Sequence, residues 1–124
     1  MGLSMGGYAA MYYSITFPQR SATTIASSPA LIDILNQPKE SFIHIPFWLS
    51  SGGTDANPNA TVVQNFTDSF AVKGGKIRNS LFPMVQHNTW EYQWDKPYLL
   101  PTWLTAHKAN PLIIITEPNS FLRM

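Results

Sequence analysis

Two kinds of apolar segment alternate along this chain of 124 residues. Tyr8–Phe17 and Thr61–Lys73 carry apolar residues at intervals of three and four, which predicts amphipathic helices. Ala22–Ala26, Ile45–Ser51 and Ile77–Phe82 are short apolar runs that end at proline or glycine, which predicts strands. Strands that alternate with helices favour right-handed crossovers, and therefore an α/β fold with a parallel sheet and helices on both faces.

The other segments have weaker patterns. Leu31–Leu35 allows at most a short helix, Met84–Asp95 is an aromatic-rich loop, and a last helix is expected from about Pro101 to Lys108. We expect residues 1–110 to share one core and residues 111–124 to form a trailing segment or linker. Three strands make a small parallel sheet, so we expect further strands to precede Met1.

Composition excludes several classes of protein. Charged residues make up 12% and the net charge is +1 without a basic run, so nucleic acid is not an expected partner. No apolar run reaches the roughly 20 residues of a membrane helix, and no basic segment followed by an apolar one marks a signal peptide. The absence of cysteine excludes disulfides and thiolate metal sites. We predict neither a metal nor a cofactor.

The opening residues carry the clearest chemical motif. Gly2 and Gly6 flank Ser4 at a spacing of two, directly before the Tyr8 helix, which is the pattern of a nucleophile elbow. A sharp strand-to-helix turn needs small residues at both flanking positions, and it presents the serine hydroxyl at the positive end of the helix. The alternative is that Ser4 is only a helix N-cap beside a glycine turn.

A serine nucleophile needs a histidine base, and there are three candidates. His44 precedes a strand, which places it at the amino edge of the sheet, opposite the edge where sites form. His107 lies near the end of the last helix, where a capping or solvated role is expected. His87 follows the Ile77–Phe82 strand at the carboxyl edge, and we predict that it is the base.

The orienting acid should lie between the serine and the histidine in the chain. Asp55 follows the Ile45–Ser51 strand at the carboxyl edge, whereas Asp33 precedes that strand, Asp68 lies within a helix and Asp95 comes after His87. Asp55 is therefore the predicted acid. The alternative is that Asp55 only makes an Asx turn before Asn57-Pro58.

Three aromatic residues follow the predicted base at alternate positions: Trp90, Tyr92 and Trp94. They could line an acyl or aromatic pocket, or they could simply pack a long loop. The pattern does not separate these two roles.

Several of these motifs together resemble the α/β-hydrolases. They are Gly2-Leu3-Ser4-Met5-Gly6-Gly7-Tyr8, the Pro46-Phe47-Trp48 strand before Gly52-Gly53-Thr54-Asp55, the Gly74-Gly75 helix end and His87-Asn88-Thr89-Trp90. Within that superfamily the chain is most similar to secreted bacterial carboxylesterases and predicted peptidases related to feruloyl esterases, acetylxylan esterases and polyhydroxybutyrate depolymerases. The resemblance covers about residues 1–111.

The resemblance implies a serine esterase with Ser4 as nucleophile, Asp55 as acid and His87 as base. It implies the Met5 N–H as one oxyanion donor, a small-molecule or polysaccharide-linked ester as substrate, and a secreted or periplasmic protein. The family's first strands and second oxyanion donor have no counterpart here, so we expect the carboxyl-terminal half of a catalytic domain that is inactive alone. A prolyl-oligopeptidase-type peptidase and a non-catalytic binding module remain alternatives.

Overall fold

The computed structural model describes residues 1–31, 33–95 and 99–107. Its strands are β1 (Gly2–Leu3), β2 (Thr24–Ser27), β3 (Phe47–Gly52) and β4 (Ile77–Phe82). Its α-helices are α1 (Met5–Thr16), α2 (Ala60–Val72), α3 (Trp90–Gln93) and α4 (Leu99–Ala106), and a single 3₁₀ turn spans Pro18–Arg20. None of the helices in these ranges is long and apolar enough to cross a membrane.

The four strands form one parallel sheet in the order β1-β2-β3-β4. Leu3 pairs with Ser27, Ser27 with Ser50, and Gly52 with Phe82, so the carboxyl ends of all four strands meet at one edge. The predicted parallel α/β sheet is confirmed. The described sheet contains β1 in addition to the three strands predicted from apolar runs. A strand of two residues, Gly2 and Leu3, is too short to recognise from sequence.

Helices cover both faces of the sheet. Phe47 and Leu49 belong to a buried cluster that includes Met11 of α1 and residues of α2. The alternate residues of β3 face the other way, where Trp48 lies against Trp103 of α4 at a ring distance of 5.7 Å. The cluster on the first face comprises Met11, Ala26, Leu31, Ile34, Phe42, Ile45, Phe47, Leu49, Val63, Phe66 and Phe70.

Helix α2 has well-defined ends, close to those expected. Asn59 is its N-cap, with Oδ1 accepting the Thr61 N–H at 2.8 Å. Gly74, with φ of 92°, ends it in a left-handed conformation that glycine adopts without strain. Gly75 then lies against the Phe70 ring so closely that a side chain would not fit.

Two predictions about secondary structure need correction. Helix α1 starts at Met5 rather than Tyr8, so it includes Gly6 and Gly7. Residues 33–35 lie in turns, which is within the expectation of at most a short helix there. The aromatic loop contains the short helix α3. The predicted trailing segment, residues 111–124, lies outside the described residues.

Candidate active site

The turn between β1 and α1 holds Ser4 in an unusual conformation. Its φ is 53° and its ψ is −121°, a region that a non-glycine residue occupies only under strain. The Ser4 N–H donates to Ser27 O at 2.8 Å and Ser4 O accepts the Tyr8 N–H at 3.0 Å, so the turn is anchored to both β2 and α1. A side chain at Gly2 would overlap the carbonyl oxygen of Gly6, which explains the glycine at that position.

Gly6 is not crowded in the way the motif predicts. Among the described residues, a Cβ at this position would meet no atom within 4 Å, and Gly6 borders a cavity of about 640 Å³ between α1 and α4. The adjacent Gly7 is the more crowded residue, since its Cβ would lie 3.2 Å from the Pro29 Cβ.

The Ser4 side chain makes no hydrogen bond to the helix it precedes. Ser4 Oγ lies 2.7 Å from Nε2 of His87 instead. The Ser4 hydroxyl therefore does not cap α1 in this structure, contrary to the N-cap alternative. Met5 is the first residue of α1, so its N–H has no partner inside the helix and, within the described part of the chain, can donate to an acceptor beside Ser4.

Asp55 uses both of its carboxylate oxygens. Oδ1 accepts the Asn57 N–H at 3.0 Å, which is the Asx turn considered as an alternative. Oδ2 accepts a hydrogen bond from Nδ1 of His87 at 2.7 Å. The two roles coexist, because the turn holds one oxygen and thereby aims the other at the imidazole. The Asp55 side chain is 7% exposed and that of His87 is 38% exposed.

These contacts determine the tautomer of His87. An ionised Asp55 can only accept, so Nδ1 of His87 carries the proton in this pair. Nε2 of a neutral imidazole is then an acceptor, and Ser4 Oγ–H donates to it. His87 can therefore take a proton from the Ser4 hydroxyl, and the Asp55 carboxylate can stabilise the resulting imidazolium.

The loops that carry Asp55 and His87 are joined to each other. Thr54 donates to the carbonyl oxygen of Val85 through its N–H at 3.2 Å and its Oγ1 at 3.0 Å. Side chains at Gly52 and Gly53 would overlap the backbone of residues 83–86. The double glycine at the end of β3 therefore lets the two loops touch, a role that the sequence motif alone did not reveal.

The rejected candidates lie elsewhere in the fold. His44 donates from Nε2 to Pro18 O at 3.1 Å, and His107 donates from Nδ1 to Trp103 O at 2.7 Å near the end of α4. Asp68 pairs with Gln64 on the surface of α2. Asp33 accepts from the Tyr8 hydroxyl at 3.4 Å, and partial burial and then this carboxylate raise the pKa of Tyr8.

The three aromatics after His87 have different surroundings. The Trp90 ring meets the His87 imidazole edge-on at 5.7 Å, which places it at the site. Tyr92 packs on Phe82 at 5.5 Å, and Nε1 of Trp94 is buried without a hydrogen-bond partner among the described residues. Of these three aromatics, Tyr92 therefore has a packing contact, while Trp90 contacts the imidazole of His87.

Sequence reasoning missed a set of buried polar side chains beneath His87: Ser27, Ser28, Ser50, Thr89 and Gln93. The available signal was a serine pair at the end of β2 and another at the end of β3, both at the carboxyl edge of the sheet.

Among the described residues, no group of three histidine, cysteine, aspartate or glutamate side chains is placed to hold a metal ion.

Comparison with known proteins identifies the fold. Neither a protein-family model nor a curated protein matches the sequence. A solved thermostable esterase superimposes with a TM-score of 0.73 at 23% identity, over 86% of this chain and 29% of its own. The Zea mays acyl-protein thioesterase 2 superimposes with a TM-score of 0.63 at 21% identity, over 85% of this chain and 53% of its own. The chain has part of the α/β-hydrolase fold. It spans about a third and about half of these neighbours' lengths, and at this identity the likeness concerns the fold alone.

Proposed function

We propose that this chain carries the catalytic site of a serine hydrolase that cleaves carboxylic esters through an acyl-enzyme. The observation that carries the proposal is the position of His87, whose two ring nitrogens lie 2.7 Å from Asp55 Oδ2 and 2.7 Å from Ser4 Oγ. The esterase and thioesterase among the structural neighbours support hydrolysis of an acyl group.

In the proposed first step, Ser4 Oγ attacks the ester carbonyl carbon as its proton passes to Nε2 of His87. The carbonyl oxygen becomes an oxyanion, which accepts a hydrogen bond from the Met5 N–H. Collapse of this intermediate breaks the bond between the carbonyl carbon and the alkoxy oxygen, and His87 Nε2 gives its proton to that oxygen, so that the alcohol leaves. Asp55 stays ionised and stabilises the imidazolium throughout.

The second half of the reaction uses the same groups with water. Water attacks the acyl carbon on Ser4 while His87 Nε2 takes one of its protons. The bond from the carbonyl to Ser4 Oγ then breaks, and His87 gives the proton back to the serine. The acid is released and the free enzyme is restored.

For the substrate, we propose a small-molecule or polysaccharide-linked ester, acted on by a secreted or periplasmic protein. This choice rests on the resemblance of the sequence motifs to secreted carboxylesterases. The acyl-protein thioesterase neighbour adds a thioester as the second substrate to examine. A panel of aryl esters, acyl thioesters and proline-containing peptide amides separates an esterase from a thioesterase and from a peptidase.

The test compares the complete gene product carrying this chain with its Ser4→Ala variant on a chromogenic acetate. We expect hydrolysis to fall at least about 10⁴-fold, because the three side chains act as a unit. Ser69→Ala is the matched control, since Ser69 donates to Phe66 O within α2 and touches no residue of the site. A fluorophosphonate should label the wild type and the control but not Ser4→Ala. Hydrolysis that survives in Ser4→Ala, or a wild type that is neither active nor labelled, contradicts the proposal and favours a non-catalytic binding module.

A further inference from the structure

A cluster of polar side chains lies buried beneath His87, where β2, β3 and the start of α3 meet. Its members Ser27, Ser28, Ser50, Thr89 and Gln93 are each 0–1% exposed. Burying five polar side chains is unfavourable unless each finds a partner. The partners that they find form a connected path to the backbone of His87.

Each hydroxyl of this path has only one proton to donate, which limits which oxygen is the donor in each hydrogen bond. Ser28 Oγ–H donates to His87 O at 2.6 Å, which uses the only proton of that hydroxyl. In the contact of 2.7 Å between Ser28 and Thr89, Thr89 must therefore be the donor. Ser50 Oγ has one proton for two neighbouring oxygens, Thr89 Oγ1 at 2.7 Å and Gln93 Oε1 at 2.9 Å. The directed hydrogen bonds therefore run from Thr89 through Ser28 to His87 O, and the first bond polarises the second.

Gln93 holds the remaining side of the cluster. Its Oε1 accepts from Ser27 and is within hydrogen-bonding reach of the Ser50 hydroxyl at 2.9 Å, while its Nε2 donates to Trp48 O at 3.4 Å. Its N–H donates to Thr89 O at 2.9 Å and thereby fixes the first turn of α3. Thr89 is therefore anchored through both its side chain and its backbone.

Ser28 itself has a strained backbone. Its φ is 45°, in the left-handed region that favours glycine, and its N–H donates to Ser50 O at 3.0 Å. A glycine here would remove the strain but would also remove the hydroxyl that reaches His87. Strain kept at a residue in contact with a reacting group is typical of a functional constraint.

We propose that Ser28 is a positioning residue that sets the location of the His87 imidazole through the backbone of that residue. The inference rests on the proposed function of His87 as the base. The His87 carbonyl oxygen accepts from Ser28 Oγ and from the Thr89 N–H at 2.9 Å, while its ring is held by Asp55. Ser28 and the Thr89 N–H thus restrain the backbone of His87, and Asp55 restrains its ring. Together they keep Nε2 of His87 directed at Ser4 Oγ.

The His87 side chain needs such support because its own burial is incomplete. It is 38% exposed and lies on a loop, so the carbonyl contacts supply the restraint that packing does not. A displacement of about 1 Å in a reacting group can lower a rate by about 10²-fold.

The test uses Ser28→Gly, which removes the hydroxyl and relieves the backbone strain, so that misfolding does not account for its effect. We expect kcat to fall about 10–100-fold, with KM within about two-fold of the wild type. Ser14→Ala is the matched control, because Ser14 is 3% exposed and hydrogen-bonded to Ala10 and Thr24, away from the site. Its kcat should equal that of the wild type.

A double-mutant cycle with His87→Ala separates positioning from a general structural effect. If Ser28 acts through His87, Ser28→Gly leaves the residual rate of His87→Ala unchanged. An equal loss in both backgrounds, or a wild-type kcat in Ser28→Gly, overturns the proposal while the proposed function stands. The proposed function fails separately if Ser4→Ala and His87→Ala remain active.

A second measurement needs no turnover. The proton on Nδ1 of His87, bonded to Asp55, should give a low-field NMR resonance in the wild type and in Ser14→Ala. We expect Ser28→Gly to broaden or remove this resonance, because the imidazole is no longer held in one position. An unchanged resonance in Ser28→Gly contradicts the positioning role whatever the activity of the protein.

Discussion

Gly52 and Gln86 approach so closely that any side chain at position 52 would overlap the carbonyl oxygen of Gln86. Gly52 ends β3, three residues before Asp55, and Gln86 directly precedes His87. The contact therefore sets how near the proposed acid and base can come. A residue without a side chain thus controls the distance between the proposed acid and the proposed base.

We predict that Gly52→Ala lowers both stability and activity. The added methyl group must push apart the loops that carry Asp55 and His87, and such overpacking costs about 1–3 kcal/mol of unfolding free energy. Urea unfolding and ester hydrolysis measure the two effects. Ser51→Ala is the neighbouring control, since it loses only a hydrogen bond of 3.2 Å to Asn79 and should keep the wild-type kcat. Equal activity in the two variants would argue against the contact.

Asp55→Asn should keep the Asx turn and lose the catalytic function. The amide oxygen of asparagine can still accept the Asn57 N–H, but its NH₂ group, turned toward His87, cannot accept from Nδ1. We expect kcat to fall about 10³–10⁴-fold, because the imidazole loses its correct tautomer. Steady-state kinetics provides the measurement.

Asp68→Asn is the control for that prediction. Asp68 accepts a hydrogen bond from Gln64 on the exposed surface of α2, away from the site, so its variant should retain the wild-type kcat. A small loss in Asp55→Asn, comparable with that of the control, would mean that another group orients His87.

The two glycines of the opening turn should respond differently to alanine. Gly2→Ala places a methyl group on the carbonyl oxygen of Gly6, whereas Gly6→Ala meets open space within α1. We expect Gly2→Ala to lose about 1–3 kcal/mol of unfolding free energy, and Gly6→Ala to gain up to about 1 kcal/mol from helix propensity. Chemical denaturation of both variants is the measurement, and the opposite order of stabilities would refute the assignment.

The surface pair of Lys73 and Glu40 gives a prediction about pH. The hydrogen bond from Lys73 Nζ at 3.0 Å, then a backbone hydrogen bond and then the charge of Lys73, lower the pKa of Glu40. A lowered pKa in the folded protein contributes stability above the unfolded pKa, and this is lost as the pH falls through the folded value. Lys73→Met should raise the pKa of Glu40 toward its usual range, as measured by carboxyl NMR, and should change stability little because both side chains are exposed. An unchanged titration of Glu40 would show that the pair does not form in solution.

Local patterns in the sequence were sufficient for the order of the main elements. Apolar periodicity within about a dozen residues marked α1, α2, β3 and β4 to within three residues at each end. The strand-to-helix turn at Ser4 was likewise visible, because its glycines lie next to the serine. Such features depend on neighbours along the chain, and a sequence displays those neighbours directly.

The predicted parallel pairing of the strands also placed Ser4, Asp55 and His87 at one edge of the sheet, since parallel strands bring their carboxyl ends together. It did not show that Asp55 makes an Asx turn and binds His87 at once. That result depends on how two loops touch through Gly52 and Thr54.

Only the tertiary structure decided which side chains lie beneath His87. Thr89 bonds to Ser28, 61 positions away, and to Ser50, 39 positions away, and no local period signals such contacts. Helix α3 was missed for a related reason, because its residue Gln93 is buried against side chains that lie far away in the sequence. A short sequence determines which residues are apolar and where the chain turns. Packing between distant segments decides which polar groups meet, because each must find its partner once water has been excluded.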